Sequence, residues 1–481
     1  MLTLKETHQI AKTLKTIAYI IGGLLLTFHP LFAQESETLG VSPILALRAE
    51  ESYAFLQNKD SLSNPKMLLQ PLKWISLDKN IHLTLGGEYR PRIEHYTNRD
   101  YTQEDETFYS QRLSLHASLS LGAKIRFFGE IYHGYASSGH ELLESDEIDL
   151  HQAFLEWKIF QNKKGLISLR LGRQEIGYGA SRLIGIREGP NMRRSFDMAR
   201  LILTKDKGTL NIIYGRETSV NFKAFDNDSF IFHKQSNNPI LWGAYWQHPL
   251  HSNIRFIDLY YFGFRSNVAR FNDVLGEELR HSVGVRSFGR LGRFSYNTEF
   301  TYQFGKLGGS SIAAFNLETD WQYQLAKGAW KPTLGIKLDW SSGDTKVGDD
   351  KVQTFNPMFV NPAIYSLAAV NTPANIISVH PSFSFNPFKN FSVYIDYALF
   401  YRTEANDGVY SPPRFLTRPA NGNAEQHIGD VLGLMVNYEI NRNISFDLRS
   451  SYFIPGKFLK DAGAGATEST FYIAPTLSFK F

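Results

Sequence analysis

The chain has 481 residues, 51 basic against 47 acidic side chains, a formal net charge of +4 and no cysteine. The near balance of charge argues against nucleic-acid binding, and the missing thiols exclude disulfides, thiolate metal sites and cysteine nucleophiles. The length suits two or three soluble domains or one large barrel, and aromatic residues are abundant, with 36 Phe, 24 Tyr and 7 Trp.

In chain order, Lys5, Lys12 and Lys15 precede the apolar run IAYIIGGLLLTF, and Ala33 follows in HPLFAQES. A basic region, a short apolar core and a small residue describe a secretory signal peptide over residues 1–34, with a core too short to span a bilayer comfortably. Its removal takes away Lys5, Lys12, Lys15 and Glu6 and lowers the net charge from +4 to about +2. Beyond residue 34 no apolar run approaches the ~18 residues of a transmembrane helix. A soluble secreted protein and a membrane β-barrel remain. Residues 35–80 contain SPILALRAEESYAFLQ, expected to form a short amphipathic helix before a Pro-containing linker. A periplasmic segment or lumen plug and a disordered linker both fit this stretch.

From about residue 81 to 481 the period is two. Phe294, Tyr296, Thr298, Phe300, Tyr302 and Phe304 alternate with Ser295, Asn297, Glu299, Thr301 and Gln303. Leu317, Thr319, Trp321 and Tyr323 alternate with Glu318, Asp320 and Gln322, and Leu334, Ile336, Leu338 and Trp340 with Lys337 and Asp339. Strands of soluble sandwiches average about 5–6 residues, whereas several here reach about ten or more, enough to cross a bilayer at a tilt. Segments start near residues 81, 107, 122, 148, 166, 194, 208, 239, 253, 279, 292, 311, 331, 376, 390, 426, 442 and 470. Tight connections such as KDKGT and INRN alternate with long ones, and aromatics gather near strand ends. The chain ends in STFYIAPTLSFKF, an amphipathic strand closing on Phe481 that resembles the C-terminal strand outer-membrane proteins present to their assembly machinery. The expected fold is all-β, a transmembrane antiparallel up-and-down β-barrel of about 18 strands, forming a single domain after the signal peptide.

Motifs for other chemistry are weak. GYGASR, from Gly177 to Arg182, lacks the third glycine and the βαβ setting of a dinucleotide turn. HELLE, from His140 to Glu144, lacks the second histidine of a zinc protease. GDTKVGDD, through Asp344 to Asp350, reads as a turn before it reads as a calcium loop. His151 shares parity with Ala153, Leu155 and Trp157 and is expected outward, without a serine and acid to make a lipid-modifying enzyme. No catalytic residue, cofactor or metal is expected.

The basic residues between Leu169 and Leu201 are the strongest signal. Seven arginines stand there against Glu175, Glu188 and Asp197. Alternation with lipid-facing Leu169, Leu171, Leu201 and Leu203 sends Arg170, Arg194 and Arg200 into the lumen. The same test sends Arg90, Arg92, Arg112, Lys124, Arg126, Arg280, Arg286 and Arg449 inward, and arginine on the lipid face would cost ~2–4 kcal/mol at mid-membrane. Arg173 breaks the parity. Asp197 reaches the lumen only if the regular strand begins after it. Lumen carboxylates such as Glu88, Glu94, Glu299, Glu318 and Asp320 are expected to pair with some of these cations. An arginine-lined channel favours anions, because guanidinium stays charged and binds carboxylates in a planar, bidentate way.

LTLGGEYRPRIEHY (Leu83 to Tyr96), LGRQEIGYGASRLIG (Leu171 to Gly185), RRSFDMARL (Arg193 to Leu201) and FNPMF (Phe355 to Phe359) together resemble the alginate export family of outer-membrane porins. The resemblance implies an 18-stranded barrel carrying a polyuronate through an arginine-lined constriction. It implies that role for Arg90, Arg92, Arg170, Arg173, Arg182, Arg194 and Arg200. FNPMFVNPAIYS departs from the continuation expected of the family. Three functions follow as expectations: passive passage of an anionic polysaccharide or oligouronate, a general anion or small-solute porin, or a barrel enzyme acting on lipid. The expected setting is the bacterial outer membrane, with its lipid around a monomeric barrel and a periplasmic export partner if polymer leaves the cell.

Overall fold

The computed structural model describes residues 44–57, 69–99, 104–137, 143–227, 237–251, 254–361, 372–412, 414–461 and 468–481. Segment 1–34, expected to be a signal peptide, lies outside these residues, as does His140.

Among the described residues, eighteen antiparallel strands form one wall, to which the short strands Ile75–Asp78 and Lys351–Val352 add at its ends. The eighteen are β1 (Ile81–Thr97), β2 (Glu106–Leu121), β3 (Ile125–Ala136), β4 (Asp146–Asn162), β5 (Gly165–Gln174) and β6 (Phe196–Lys205). Then come β7 (Gly208–Glu217), β8 (Ile240–His251), β9 (Arg255–Phe271), β10 (Val274–Leu291), β11 (Phe294–Leu307) and β12 (Ser310–Gln324). The last six are β13 (Thr333–Ser341), β14 (Ile376–Phe388), β15 (Phe391–Tyr401), β16 (His427–Glu439), β17 (Ile444–Pro455) and β18 (Thr470–Lys480). Each pairs with its neighbours in sequence, and β1 pairs with β18 through Arg92 opposite Thr476 and Tyr96 opposite Tyr472. Gly87 and Phe481 exchange main-chain hydrogen bonds at 3.0 Å in both directions and extend this seam. Closure removes the edges a sheet would otherwise expose, which is the condition for crossing a bilayer with strands.

The period-two pattern sorts the two faces as expected. On β11 Phe300, Tyr302 and Phe304 are exposed, while Glu299, Thr301 and Gln303 are buried inside. On β2 Leu113 and Leu115 face out and Arg112, Ser114 and His116 face in. The outward apolar band is the lipid-facing surface; among the described residues no helix is long and apolar enough to cross a membrane. Leu171 on β5 belongs to this band at 45% exposure. Leu171→Arg is therefore expected to destabilise the folded barrel by about 2–4 kcal/mol, read as a lower midpoint of denaturant unfolding in lipid vesicles. An unchanged midpoint would place Leu171 off the lipid face.

Strand starts lie within a few residues of the expected ones, the largest gap being β10, which begins at Val274 rather than 279. The connections at one end are mostly tight turns of two to four residues, the longest running from 325 to 332, and most at the other end are long. Two at the long-loop end are not: β9 and β10 turn through Asn272 and Asp273, and β11 and β12 through Gly308 and Gly309. Gly308 and Gly309 have φ of 54° and 103°, a backbone that glycine adopts without the strain of a Cβ.

Four sequence expectations are corrected. His151 points inward and is 5% exposed, because His151 and Gln152 are both buried between outward Leu150 and Leu155. The pairing with β3 shifts register beside Glu130, so a bulge reverses the parity that simple alternation assigns. Lys124 sits exposed in the turn before β3 and does not line the lumen. Asp197 falls inside β6, which begins at Phe196, and so stays out of register with Arg200. The expected amphipathic helix in the N-terminal segment is replaced by two short 3-10 turns, Arg48–Glu50 and Ala54–Gln57.

Candidate functional site

The cross-strand register builds the site before any loop does. Arg126, Glu156, Arg170 and Arg200 stand directly opposite one another across β3, β4, β5 and β6, one row on the lumen wall. Glu156 Oε2 accepts from Arg126 at 2.6 Å and from Arg170 at 2.9 Å, and Arg200 Nε donates to Asn211 Oδ1 at 2.9 Å. Two of the three guanidiniums in the row thus share the single wall carboxylate, and the third bonds an amide oxygen. Toward the long-loop end, Arg90 stands opposite Arg112, a like-charge pair that needs compensation. Arg112 receives it from Glu88 at 2.8 Å and from Glu188 at 2.7 Å.

The far wall carries the opposite sign. Asp258, Arg286, Glu299, Glu318 and Asp339 form a continuous row across β9 to β13. Arg286 Nη1 lies 3.1 Å from Asp258, and Glu299 accepts from Tyr260 at 2.7 Å. A lumen with a basic wall facing an acidic one holds a transverse field, which orients charged solutes as they pass.

The loop of residues 175–195 crosses between the two walls. Its Arg182 pairs with Glu318 and lies 3.6 Å from Asp339, and Ala180 N donates to Glu299 at 2.8 Å. At the other end Glu188 meets Arg112, while the carbonyls of Glu188 and Pro190 accept from Arg90 at 3.0 and 2.9 Å. Burial opposes ionisation of Glu188, yet Arg193, Arg112 and Arg90 together hold its carboxyl well below the usual range. A second inward segment, around Phe355 to Phe359, pairs Phe359 with Ile184 of the crossing loop. Arg194 donates to the carbonyls of Gly185 and Phe359 and pairs with Glu217 at 2.9 Å, tying the two segments together. Ile184, Phe355, Met358 and Phe359 pack with Phe262 and Phe264 into an apolar core inside the barrel.

The N-terminal segment lies below this loop, at the tight-turn end. Arg48 donates to the main-chain oxygens of Gly87 at 3.2 Å and Phe481 at 2.6 Å. Arg126 donates to the Ala49 carbonyl at 2.7 Å, and Ala49 packs against Phe128 and Phe154. The Glu50 carboxylate reaches Arg170 at 2.8 Å and Arg200 at 3.2 Å. Partial burial works against ionisation of Glu50, and Arg170 and then Arg200 outweigh it, holding the carboxyl down to about 2. A depressed carboxyl contributes fully above its ordinary range and loses the contribution only as pH falls through the folded value. This contact therefore persists at any pH from mildly acid upward.

Of the residues singled out from sequence, Arg90, Arg92, Arg112, Arg126, Arg170 and Arg200 lie on the lumen face of β1 to β6, with Glu88 among them. Arg92 pairs with Glu94 at 2.6 Å and Glu144 at 3.1 Å. Arg182 and Arg194 belong to the crossing loop, not to a strand. Arg173 follows Gly172, whose φ is 126°, and binds Asp197 at 2.8 Å and the Leu150 carbonyl at 3.0 Å. Arg173 and Asp197 thus satisfy each other apart from the Arg126–Arg170–Arg200 row. Asp344, in the stretch weighed as a calcium loop, accepts from Asn272 Nδ2 at 3.2 Å. Sequence reading missed Glu50 and Glu156 as partners of the arginines, and set Glu188 against them by charge without assigning its partner. Alternation with Leu155 and Trp157 was enough to find Glu156; Glu50 and Glu188 lie in irregular backbone, where period two says nothing.

A family model described as alginate export matches residues 81–472. Solved structures share the fold at low identity. OpdO of Pseudomonas aeruginosa has a TM-score of 0.56 at 13% identity, covering 83% of this chain and 97% of its own. OccK2 (OpdF) of Pseudomonas aeruginosa, solved in complex with glucuronate, has a TM-score of 0.54 at 11% identity, covering 83% and 96%. A BenF-like porin from Pseudomonas fluorescens Pf-5 has a TM-score of 0.55 at 12% identity, covering 83% and 98%. No curated protein sequence matches significantly.

Proposed function

The chain belongs to the alginate export family and is an outer-membrane channel, and we propose that its cargo is a carboxylated sugar, an anionic polysaccharide or its oligouronate pieces. The observation that carries this reading is the row Arg126, Arg170 and Arg200, three guanidiniums on one lumen wall in which the wall supplies a single carboxylate, Glu156, that meets Arg126 and Arg170. Arginine binds carboxylates with paired donors and stays charged, so a uronate finds both charge and geometry there. The acidic row on β9 to β13 keeps the field across the lumen directional and limits how tightly an anion is held, which conduction requires. One structural relative is described in complex with glucuronate, a solute of this chemistry, which supports the class without identifying the cargo. The crossing loop bears on the size of the cargo. Its contacts with both walls narrow the lumen, so oligouronates pass more readily than long polymer unless the loop withdraws.

The test is planar-bilayer recording with chloride as the carrier and added glucuronate or oligouronate as competitor. Anion-selective conductance with block by uronates, and not by neutral glucose, is the expected result. Arg170→Ala with Arg200→Ala should remove the block and reduce the reversal-potential shift. Selectivity and block both unchanged in that double variant would sink the reading. Anion selectivity without any block by uronates would favour a general small-anion porin.

A further inference from the structure

The Arg126–Arg170–Arg200 row already holds a ligand, and it comes from the chain itself. Wall charges sum to three cations and one carboxylate, and Glu50 adds the second negative charge. Its geometry is that of a bound carboxylate: Oε1 accepts from Arg170 Nη1 at 2.8 Å and Arg200 Nη1 at 3.2 Å, and Oε2 from Arg170 Nη2 at 3.4 Å. The Phe154 ring lies 4.4 Å from the Arg170 guanidinium, fixing its plane. Nothing in the local backbone requires a carboxylate here. Glu50 ends a three-residue 3-10 turn, and its carboxylate turns away from that backbone to bond Arg170 and Arg200.

We propose that this row is a carboxylate-binding site whose resident ligand is Glu50, so that an incoming carboxylated solute binds by displacing the turn of residues 48–50. For the identity of that solute the proposal rests on the uronate reading above. Three features make the exchange workable. The Glu50 side chain is 36% exposed, and Arg126 and Arg200 are 17% and 13% exposed, so the site is reachable from the aqueous lumen. Displacement also exchanges one carboxylate for another, leaving the buried guanidinium of Arg170 paired throughout, which avoids the large cost of an uncompensated buried charge. Finally, the turn that carries Glu50 is otherwise held by few contacts, Arg48 on two main-chain oxygens, Arg126 on the Ala49 carbonyl and the small Ala49 side chain on two rings, while Tyr53 and Leu56 stay packed with Trp74 as the anchor on which the turn lifts. A tethered carboxylate presents itself at an effective concentration on the order of millimolar, so it sets the threshold an external carboxylate must exceed. Residues 48–50 are thus a latch on the tight-turn mouth that the cargo itself opens.

The experiment uses the full mature chain in planar bilayers, comparing wild type with Glu50→Gln, a substitution of nearly equal shape that removes only the charge. Glucuronate and acetate are the probes. Glu50→Gln should raise the chloride conductance and tighten block by glucuronate about tenfold or more, since it removes the competitor and leaves the guanidiniums. Because the chain has no cysteine, Ala49→Cys supplies a unique thiol, and its labelling rate should rise when glucuronate is added. Equal glucuronate block in wild type and Glu50→Gln, with Ala49→Cys labelling indifferent to glucuronate, overturns the displacement while leaving the uronate reading intact. Tighter block of Glu50→Gln by acetate, with glucuronate blocking neither protein, keeps the carboxylate site and overturns the uronate reading. No difference between the two proteins with either probe overturns the site.

Discussion

Arg112→Ala is expected to lower the stability of the barrel by about 3 kcal/mol and to loosen the crossing loop at its basic end. The guanidinium is fully buried between Glu88 and Glu188, at 2.8 and 2.7 Å, so the substitution strips a cation from the buried Glu88 carboxylate and from Glu188, which is partly open to the lumen. Breaking a buried pair by deleting one partner typically costs about 3–5 kcal/mol, far above the ~0–1 kcal/mol of an exposed ion pair. The low end applies because other cations remain: Lys480 lies 3.6 Å from Glu88, and Arg193 and Arg90 lie 3.1 and 3.7 Å from Glu188. Denaturant unfolding in detergent gives the first number, and single-channel recording gives the second effect as larger, noisier current. Arg112→Met separates charge from volume. It fills the space without the charge, so a loss equal to that of Ala assigns the effect to electrostatics. Full stability in both variants would contradict the burial and pairing described here.

The second large effect lies at the opposite end of the same loop. Arg182 pairs with Glu318 and approaches Asp339, within a row where Glu299, Glu318 and Asp339 are successive cross-strand neighbours. Like charges directly opposite on adjacent strands destabilise a sheet, and burial magnifies the repulsion. Arg182→Ala is therefore expected to cost about 3–5 kcal/mol, to free the loop from the acidic wall, and to shift selectivity toward cations. The discriminating comparison is a double-mutant cycle with Glu318→Gln. If the pair is the source, adding Glu318→Gln to Arg182→Ala restores most of the lost stability, giving a coupling energy of about 0.5–3 kcal/mol. A purely additive cycle would mean that Arg182 acts through something other than Glu318. The two loop anchors are independent enough to test separately, since they stand on opposite walls of the lumen.

The membrane-facing half of this protein was legible without coordinates. Residues such as Leu113, Leu171 and Phe300 declare an outward face because successive side chains of a strand point to opposite sides, a local steric fact that no distant contact needs to enforce. The same rule placed Arg90, Arg112, Arg170 and Arg200 inside. It failed at His151, where a bulge opposite Glu130 inserts one residue and reverses the parity. It failed at Lys124, where the strand had not yet begun. It was silent on Arg182 and Arg194, whose positions follow from a loop path.

The closed antiparallel wall, its lipid face and the arginines sent into the lumen therefore follow from local chemistry, from period two and from the cost of a charged group in lipid. Which carboxylate each arginine meets depends instead on the folded barrel. The Glu50 contact with Arg170 spans 120 residues, and the Arg48 contact with Phe481 spans 433. Pairings over such separations depend on the barrel's register and on where irregular backbone comes to rest. A run of seven arginines, read locally, is an excess of charge. Within the barrel it is divided between a wall row holding Glu50, a loop anchored on both walls, and the Arg173–Asp197 pair, because buried guanidiniums are stable only where carboxylates and carbonyls converge on them.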